Sequence, residues 1–332
     1  MAELFQFVML PGFSMIGLMA TLEPLRVANR FAGEVYRWRF LSADGAAVRA
    51  SNGLSLPADC AIDAAPSEGC IIVVAGFEPL RHYTPALANW LRHADRHGAT
   101  LGAIDTGCFC LAEAGLLRQV RVTLHWEAMS AFEERYPDVS VSGALFEIGR
   151  RRLTSAGGTT SIDMMLQVIG ERHGAGLATA VSEQFVRERI RDHGDHQRMQ
   201  VSARYEVHNK KLVQAIGIME DNLEVPLGAE TLAARVAVTC RQLQRLFREH
   251  MRITPGEFYM RMRLQRARQL LRHTDMNVLE VGMTCGFSSS SHFSRAYRVQ
   301  FGVCPRSDRS GFTAPRAAGS HQSGVRRHPA PG

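Results

Sequence analysis

The stretch "GAIDTGCFC" (residues 102–110) sits where a hydrophobic run, Thr100 to Ile104, meets an apolar helical pattern, Cys108 to Leu117. A short apolar strand turning sharply into a helix is the corner where many α/β proteins hold a reactive or ligand-binding side chain. Asp105 occupies the corner itself, and Cys108 and Cys110 follow inside the helix. Asp also commonly precedes a helix and caps its free N–H groups. The corner therefore leaves two roles open for Asp105, a helix cap or part of a binding site.

The same alternation extends outward through the first 180 residues. Strands read at Leu4–Met9, Tyr36–Ser42, Ile71–Ala75, Thr100–Ile104 and Leu145–Ile148, with helical patterns near Ile16–Phe31, Pro85–His97, Cys108–Leu117, Glu127–Arg135 and Ser161–Arg172. Short apolar strands separated by helices predict an α/β fold, a doubly wound and mostly parallel sheet covered on both faces. Ligands in such sheets bind beyond the strand C-termini. That rule gathers Pro11–Phe13, Ala75–Phe77 and Asp105–Gly107 around one crevice.

Composition sets the frame. A chain of 332 residues is long enough for two domains with their own cores. With 45% apolar and 21% charged residues, it reads as soluble and globular. No apolar run approaches the roughly 18–20 residues of a membrane span. The opening "MAELFQFVML" has an acid where an export signal would carry positive charge. A cytosolic protein without a membrane partner is expected. The seven cysteines are scattered, with no CxxC pair, so reduced thiols are expected and neither a metal site nor a cofactor.

Charge divides the chain unevenly. Residues 1–199 hold 19 Lys and Arg against 22 Asp and Glu, whereas residues 200–310 hold 17 against 10. Only the second part suits a polyanion. The predicted organisation is an α/β domain over 1–180, a polar linker over 181–207 with "RDHGDHQRMQ" (191–200) at its centre, and an all-helical domain over 208–309. The Gly-, Pro-, Ser- and Arg-rich tail, 310–332, is expected to lack structure.

The helical domain contains one duplication. "LGAETLAARVAVTCRQLQRLFREHM" (227–251) reads as a short helix, Ala229–Val236, a turn, and a second helix capped by Thr239. Its Arg241, Gln244, Arg245 and Arg248 share one face, opposite Leu243, Leu246 and Phe247. "NVLEVGMTCGFSSSSHFSRAYRVQFG" (277–302) repeats the plan, with Val278–Cys285, a turn at Gly286, a cap at Ser288, and a helix exposing Ser290, Ser291, His292 and Arg295 while Phe293 and Tyr297 face inward. A helix that enters the major groove needs this division between a packed face and a polar one. "FYMRMRLQRARQLLRHT" (258–274) reads as a rigid connecting helix that holds the two units about one DNA turn apart. The alternative is a basic helical bundle with no DNA partner. Two units in tandem, followed by "FGVCP" (301–305), favour the DNA reading.

Residues 208–309 resemble the AraC-type DNA-binding domain. The resemblance places base contacts on Arg241, Gln244 and Arg245 in the first unit, and on Ser290, Ser291, His292, Ser294 and Arg295 in the second. Arg can pair bidentately with guanine and Gln with adenine, while short serines suit phosphate, water-mediated or shape contacts. The second unit therefore reads as the less base-selective.

Residues 5–175 resemble the PfpI-like, class I glutamine amidotransferase-like superfamily. The resemblance is carried by "LPGFSMIGLMATLEPLRVANR" (10–30), "YRWRFLSADG" (36–45), "ASNGLSLPAD" (50–59), "VTLHWEAMSAFEERYPD" (122–138) and "SAGGTTSIDMMLQVIG" (155–170). Ahead of an AraC domain, this is the arrangement of GlxA-type transcriptional regulators. In the superfamily's enzymes the corner residue is a nucleophilic cysteine. Here it is Asp105, and the helix acid that accompanies the cysteine falls on Gly17. A carboxylate lacks a thiolate's reactivity, so no catalytic residue and no enzymatic activity are expected. The rival reading is a PfpI-like hydrolase or lyase fused to DNA-binding helices. An architectural DNA binder is disfavoured, because it would not need a pocket domain.

The crevice is expected to hold a ligand through Asp105, Thr106, His125, Trp126, Phe13, Gly76, Phe77 and Glu23. His125 could instead pack beside Trp126, Glu23 could be an ordinary helix acid, and the aromatic residues could be core. "SADGAAVRASNG" (42–53), "VVAGFEPL" (73–80) and "ALFEIGRRRLTSAGGTTSIDMMLQVIG" (144–170) are similar to GlxA-type regulators of quaternary-amine catabolism. The resemblance implies carnitine or a glycine betaine-like zwitterion as inducer, with arginine or another amino acid as the competitor. It also implies a bacterial cytosolic activator, nucleoid-associated when bound to double-stranded operator DNA. RNA polymerase and a second copy of the chain would be its further partners.

Overall fold

The computed structural model describes residues 2–187, 189–192, 194–274 and 276–313. The first domain is built on seven strands: β1 (Glu3–Met9), β2 (Tyr36–Ser42), β3 (Cys60–Ala61), β4 (Cys70–Val74), β5 (Thr100–Ile104), β6 (Phe146–Ile148) and β7 (Arg152–Ser155). Their order across the sheet is β6-β7-β5-β4-β1-β2-β3. Every pairing is parallel except β6 with β7, a hairpin at one edge. The sheet is therefore mostly parallel, as the alternation of patterns implies.

Alternate residues of each strand supply the two faces. Phe5, Phe7, Met9, Ile72, Val74 and Ile104 pack under α1 (Met15–Ala32), α5 (Thr160–His173) and α6 (Ala175–Gln184). Val8, Ile71, Val73, Leu101 and Ala103 pack under α2 (Pro85–Arg96), α3 (Cys108–Glu113) and α4 (Met129–Arg135). Both faces are dry, which is why these strands read as continuous apolar runs.

Three local expectations change. Strand β7 had no apolar signature, because "RLTS" (152–155) carries polar side chains on a buried strand. Its Thr154 and Ser155 are almost fully buried and satisfied locally: Thr154 Oγ1 accepts from Thr123 N at 3.0 Å, and Ser155 Oγ lies 2.8 Å from Thr160 Oγ1. Helix α3 stops at Glu113 rather than Leu117, where Gly115 takes a positive φ of 75°. Helix α6 carries the first domain to Gln184, inside the stretch read as linker, because Ala178 and Val181 are buried in its core.

The segment that follows is strapped to the first domain. Asp163, fully buried, accepts from Arg187 Nη2 at 2.5 Å and from Arg191 Nη2 at 2.7 Å. Gln197 Nε2 donates to the Thr123 hydroxyl and to the Leu124 and Ala144 carbonyls at 2.9–3.0 Å. Helices α7 (Val201–Arg204), α8 (Lys210–Asp221), α9 (Ala229–Arg235), α10 (Cys240–Met251), α11 (Pro255–His273), α12 (Val278–Thr284), α13 (Ser290–Phe301) and α14 (Pro305–Thr313) complete the chain. Tail residues 310–313 thus close α14, and the rest of the tail reading falls outside the described residues. Helix α11 packs against α4, so its Leu264, Ala267, Leu270 and Leu271 continue one side of the first domain's core. Among the described residues, no helix is long and apolar enough to cross a membrane.

Candidate functional site

The helix-turn-helix surface follows from capping and packing. Thr239 and Gln242 form a reciprocal capping box that starts α10. Leu243 and Phe247 are buried beneath it, while Arg241, Gln244, Arg245 and Arg248 are exposed on its outer face. Among the described residues, Arg245 makes an exposed contact to Glu249 at 3.9 Å, an arrangement worth under about 1 kcal/mol.

In the second unit, Asn277 and Glu280 box the start of α12. Gly286 makes the turn with φ 74°, and a side chain there would meet Pro226 Cδ at 2.6 Å. The cap of α13 is Ser289, whose hydroxyl accepts from His292 N at 3.3 Å, not Ser288; within the serine run, composition could not choose between neighbours. Ser290, Ser291, His292 and Arg295 are exposed, Ser294 is half-buried, and Phe293 and Tyr297 are buried.

Helix α11 fixes this unit. Arg263 donates to the Cys285 and Gly286 carbonyls at 2.7 and 2.6 Å and lies 4.2 Å from the centre of the Phe287 ring. The Tyr297 hydroxyl donates to Asp308 at 2.7 Å, and Arg268 and Arg272 of α11 donate to the same carboxylate at 2.8 and 3.1 Å.

At the corner of the α/β domain, Asp105 adopts the left-handed conformation with φ 61°. Asp is one of the few side chains that tolerate it. The cap role does not materialise, because α3 starts at Gly107 without a side-chain cap. Instead the Asp105 carboxyl lies near the Ser14 hydroxyl and the Thr106 N–H, both of which favour its charged form. Ser14 also caps α1, its Oγ accepting from Gly17 N at 3.3 Å. Burial, opposed by the nearby His125, pushes the Asp105 carboxyl up to about 6. Gly157, with φ 86°, fits against it so closely that a Cβ would stand 3.0 Å from Asp105 Cβ. Thr106 donates to the Gly76 carbonyl, fixing the neighbouring loop.

Asp105, Thr106, His125, Gly76 and Phe77 line one cavity of about 210 Å³, together with Ser14, Ser51 and His273. Three side chains expected there lie elsewhere. Phe13 is fully buried in the core, and only its backbone reaches the site, bridging to Gly76. Trp126 faces the linker, where the Arg198 guanidinium lies 4.4 Å over its ring. Glu23 pairs with Arg26 at 2.7 Å on the exposed face of α1; nine residues past Ser14 is two and a half turns, the opposite side of the helix. Ser14 was one residue beyond the Pro11–Phe13 stretch, and its signal was the helix cap. His273 had no local signal, since it arrives from the other domain.

The corner carries a carboxylate, Asp105, and the two cysteines that follow it lie in the core. A side chain at Gly17 would stand 2.9 Å from Ile104 Cγ2, so α1 has no room for the enzymes' acid. Cys108 and Cys110 are fully buried, and burial pushes both thiols far up, the second to about 12. Among the described residues, no group of three or more His, Cys, Asp or Glu could hold a metal ion.

Comparison with known proteins agrees with both halves of this architecture. The DJ-1/PfpI family model matches residues 7–171, and a helix-turn-helix domain model matches residues 232–311. The chain is 57% identical to the HTH-type transcriptional regulator CdhR of Pseudomonas aeruginosa, over 93% of this chain and 92% of that one. It is 44% identical to the HTH-type transcriptional regulator GbdR of the same species, over 92% and 83%. The crystal structure of an AraC family transcriptional regulator from Pseudomonas putida covers 55% of this chain and 99% of its own, at 29% identity and a TM-score of 0.52. These full-length relatives are regulators, and this protein is a DNA-binding regulator rather than an enzyme. The chain belongs to the AraC-family transcriptional regulators that carry a DJ-1/PfpI domain ahead of their helix-turn-helix domain.

Proposed function

We propose that this regulator is a cytosolic transcriptional activator whose inducer, a small zwitterionic methylamine of the carnitine or glycine betaine type, binds beside Asp105. The observation that carries this reading is the cavity of about 210 Å³, lined by a buried carboxylate, an imidazole, two serine hydroxyls and the face of Phe77. A quaternary ammonium has no N–H to donate, so it is held by aromatic faces and nearby negative charge. Asp105 and Phe77 offer both. His125 and the hydroxyls of Ser14 and Ser51 offer partners for the carboxylate end. The resemblance to regulators of quaternary-amine catabolism narrows the ligand class. The ligand acts by favouring a homodimer able to hold operator DNA and recruit RNA polymerase, which requires that it bind that state more tightly. Base readout is assigned to Arg241, Gln244 and Arg245 in the first unit. Ser290, Ser291, His292, Ser294 and Arg295 make the contacts of the second.

A thermal-shift screen of the full chain against carnitine, glycine betaine, choline, dimethylglycine, sarcosine and arginine tests the ligand. A ligand at about 100 times its Kd adds roughly 2.7 kcal/mol to the state that binds it. A shift with carnitine or a betaine is expected. A shift with arginine alone would transfer the cavity to the amino-acid reading, and no shift at all would sink the methylamine reading.

A further inference from the structure

The cavity beside Asp105 is not closed by its own domain. Its wall is completed by His273, the last residue of α11, the helix that joins the two helix-turn-helix units. The His273 ring stacks on Phe77 with centroids 5.8 Å apart and planes at 29°. Its Nδ1 is buried and has no hydrogen-bond partner among the described residues. A buried imidazole nitrogen left unpaired costs free energy unless something else pairs with it. His273 also lines a second cavity of about 310 Å³ with Leu80, Phe109 and Thr274. The seam between the domains thus leaves open space on two sides of this one ring. From the same helix, Arg263 and Arg268 hold the turn and the second helix of the C-terminal unit, so a shift of α11 moves that DNA-binding surface.

We propose that His273 is a ligand-contacting residue of this cavity, so that one bound small molecule touches the α/β domain and the DNA-binding domain at once. The inducer is then read directly by α11, without relay through the sheet. The inference rests on the reading of the cavity as the effector site. It adds that the site is incomplete without the second domain. The His273 ring borders the ligand from the α11 side, while the aliphatic or methylated end lies toward Asp105 and Phe77.

The test uses the full chain with His273→Ala and His273→Phe, and Asp105→Asn as reference. Binding of carnitine, glycine betaine and arginine is measured by calorimetry, with and without a duplex selected in vitro by the same protein. Loss of the His273 nitrogen in either variant should weaken the bound probe about tenfold, and the effect of DNA on probe affinity should fall toward none. Linkage requires that effect to be reciprocal in the parent protein. If Asp105→Asn loses the probe while both His273 variants keep its affinity and its coupling to DNA, the inference is overturned and the effector site stands. If the parent binds none of the three probes, the ligand reading fails on its own. Hydrogen exchange of the ligand-free chain then decides this inference: exchange around Phe77 and His125 that is faster in His273→Ala sustains the shared site, and equal exchange overturns it.

Discussion

The corner at Asp105 and the outer face of α10 are the two proposed recognition surfaces, and they are made in opposite ways. On α10, Arg241, Gln244 and Arg245 stand in solvent on a helix already held by its buried side and its capping box. They cost the fold little, and they would be available to DNA without rearrangement. At the corner, a carboxylate is held off its preferred backbone conformation and largely out of water, beside a second domain that supplies part of the wall. That carboxylate opposes folding.

Asp105→Asn tests that contrast most severely. The folded-state pKa of Asp105, about 6, lies above its ordinary 3.8. Its contribution to stability is complete below 3.8 and is lost as the pH rises through 6. At pH 7 the ionised carboxylate therefore destabilises the domain by up to about 3 kcal/mol, at 1.36 kcal/mol per unit. The amide should raise the melting temperature at pH 7, leave it nearly unchanged at pH 4, and abolish the response to ligand. A variant that melts lower at pH 7 would remove the contrast.

His273 sharpens the same comparison with the opposite sign. Burial, aided by His125 and Arg272, pushes it down to about 4 from 6.5. The neutral ring's closure of the cavity is complete above 6.5 and is lost as the pH falls toward 4, a change of up to about 3 kcal/mol. Asp105, facing the same cavity, takes up its proton in that window and reduces the electrostatic gain of charging His273. Small-angle scattering should show the parent protein expanding between pH 7.5 and 5. His273→Phe keeps the stack on Phe77 and cannot titrate, so it should stay closed. Equal expansion in both would show that some other group governs the seam.

How much of each region could be read from residues follows from the same difference. The reader helices obey local rules, apolar residues at helical spacing and a cap three residues before its partner, so "TCRQLQRLF" (239–247) declares both its buried and its exposed face. The sheet is legible because strands buried on both sides must be apolar throughout, and β7 escaped because its buried hydroxyls pair with the start of α5 and with a neighbouring loop. The corner was legible as far as Asp105, Thr106, Gly76 and Phe77, which lie next to strand ends, and His125 beyond them. Trp126 was misplaced because its partner, Arg198, lies in the linker, 72 residues along the chain. His273 lies 168 residues from Asp105, and no pattern along the chain encodes a packing contact between domains.

Within the DNA-binding surface, the two units offer a smaller version of the contrast. Arg245→Ala should weaken the selected duplex by about 1–3 kcal/mol and relax preference at one position, if its guanidinium pairs with a guanine edge. Unchanged affinity would assign it to the solvated face, where its present contact to Glu249 is weak.

Ser291→Ala is the gentlest probe and tests the second unit alone. Ser291 is exposed in the first turn of α13, two residues after the cap Ser289, and it lacks the reach for a bidentate base contact. A phosphate or water-mediated role should cost under about 1 kcal/mol, spread evenly over all sequences, because such contacts position the helix without reading bases. In vitro selection with the variant should therefore return the parent's consensus at slightly lower affinity. A changed base at one position would mean that Ser291 reads sequence. The serine-rich unit would then share specificity with the arginine-rich one, instead of serving mainly to hold it in register.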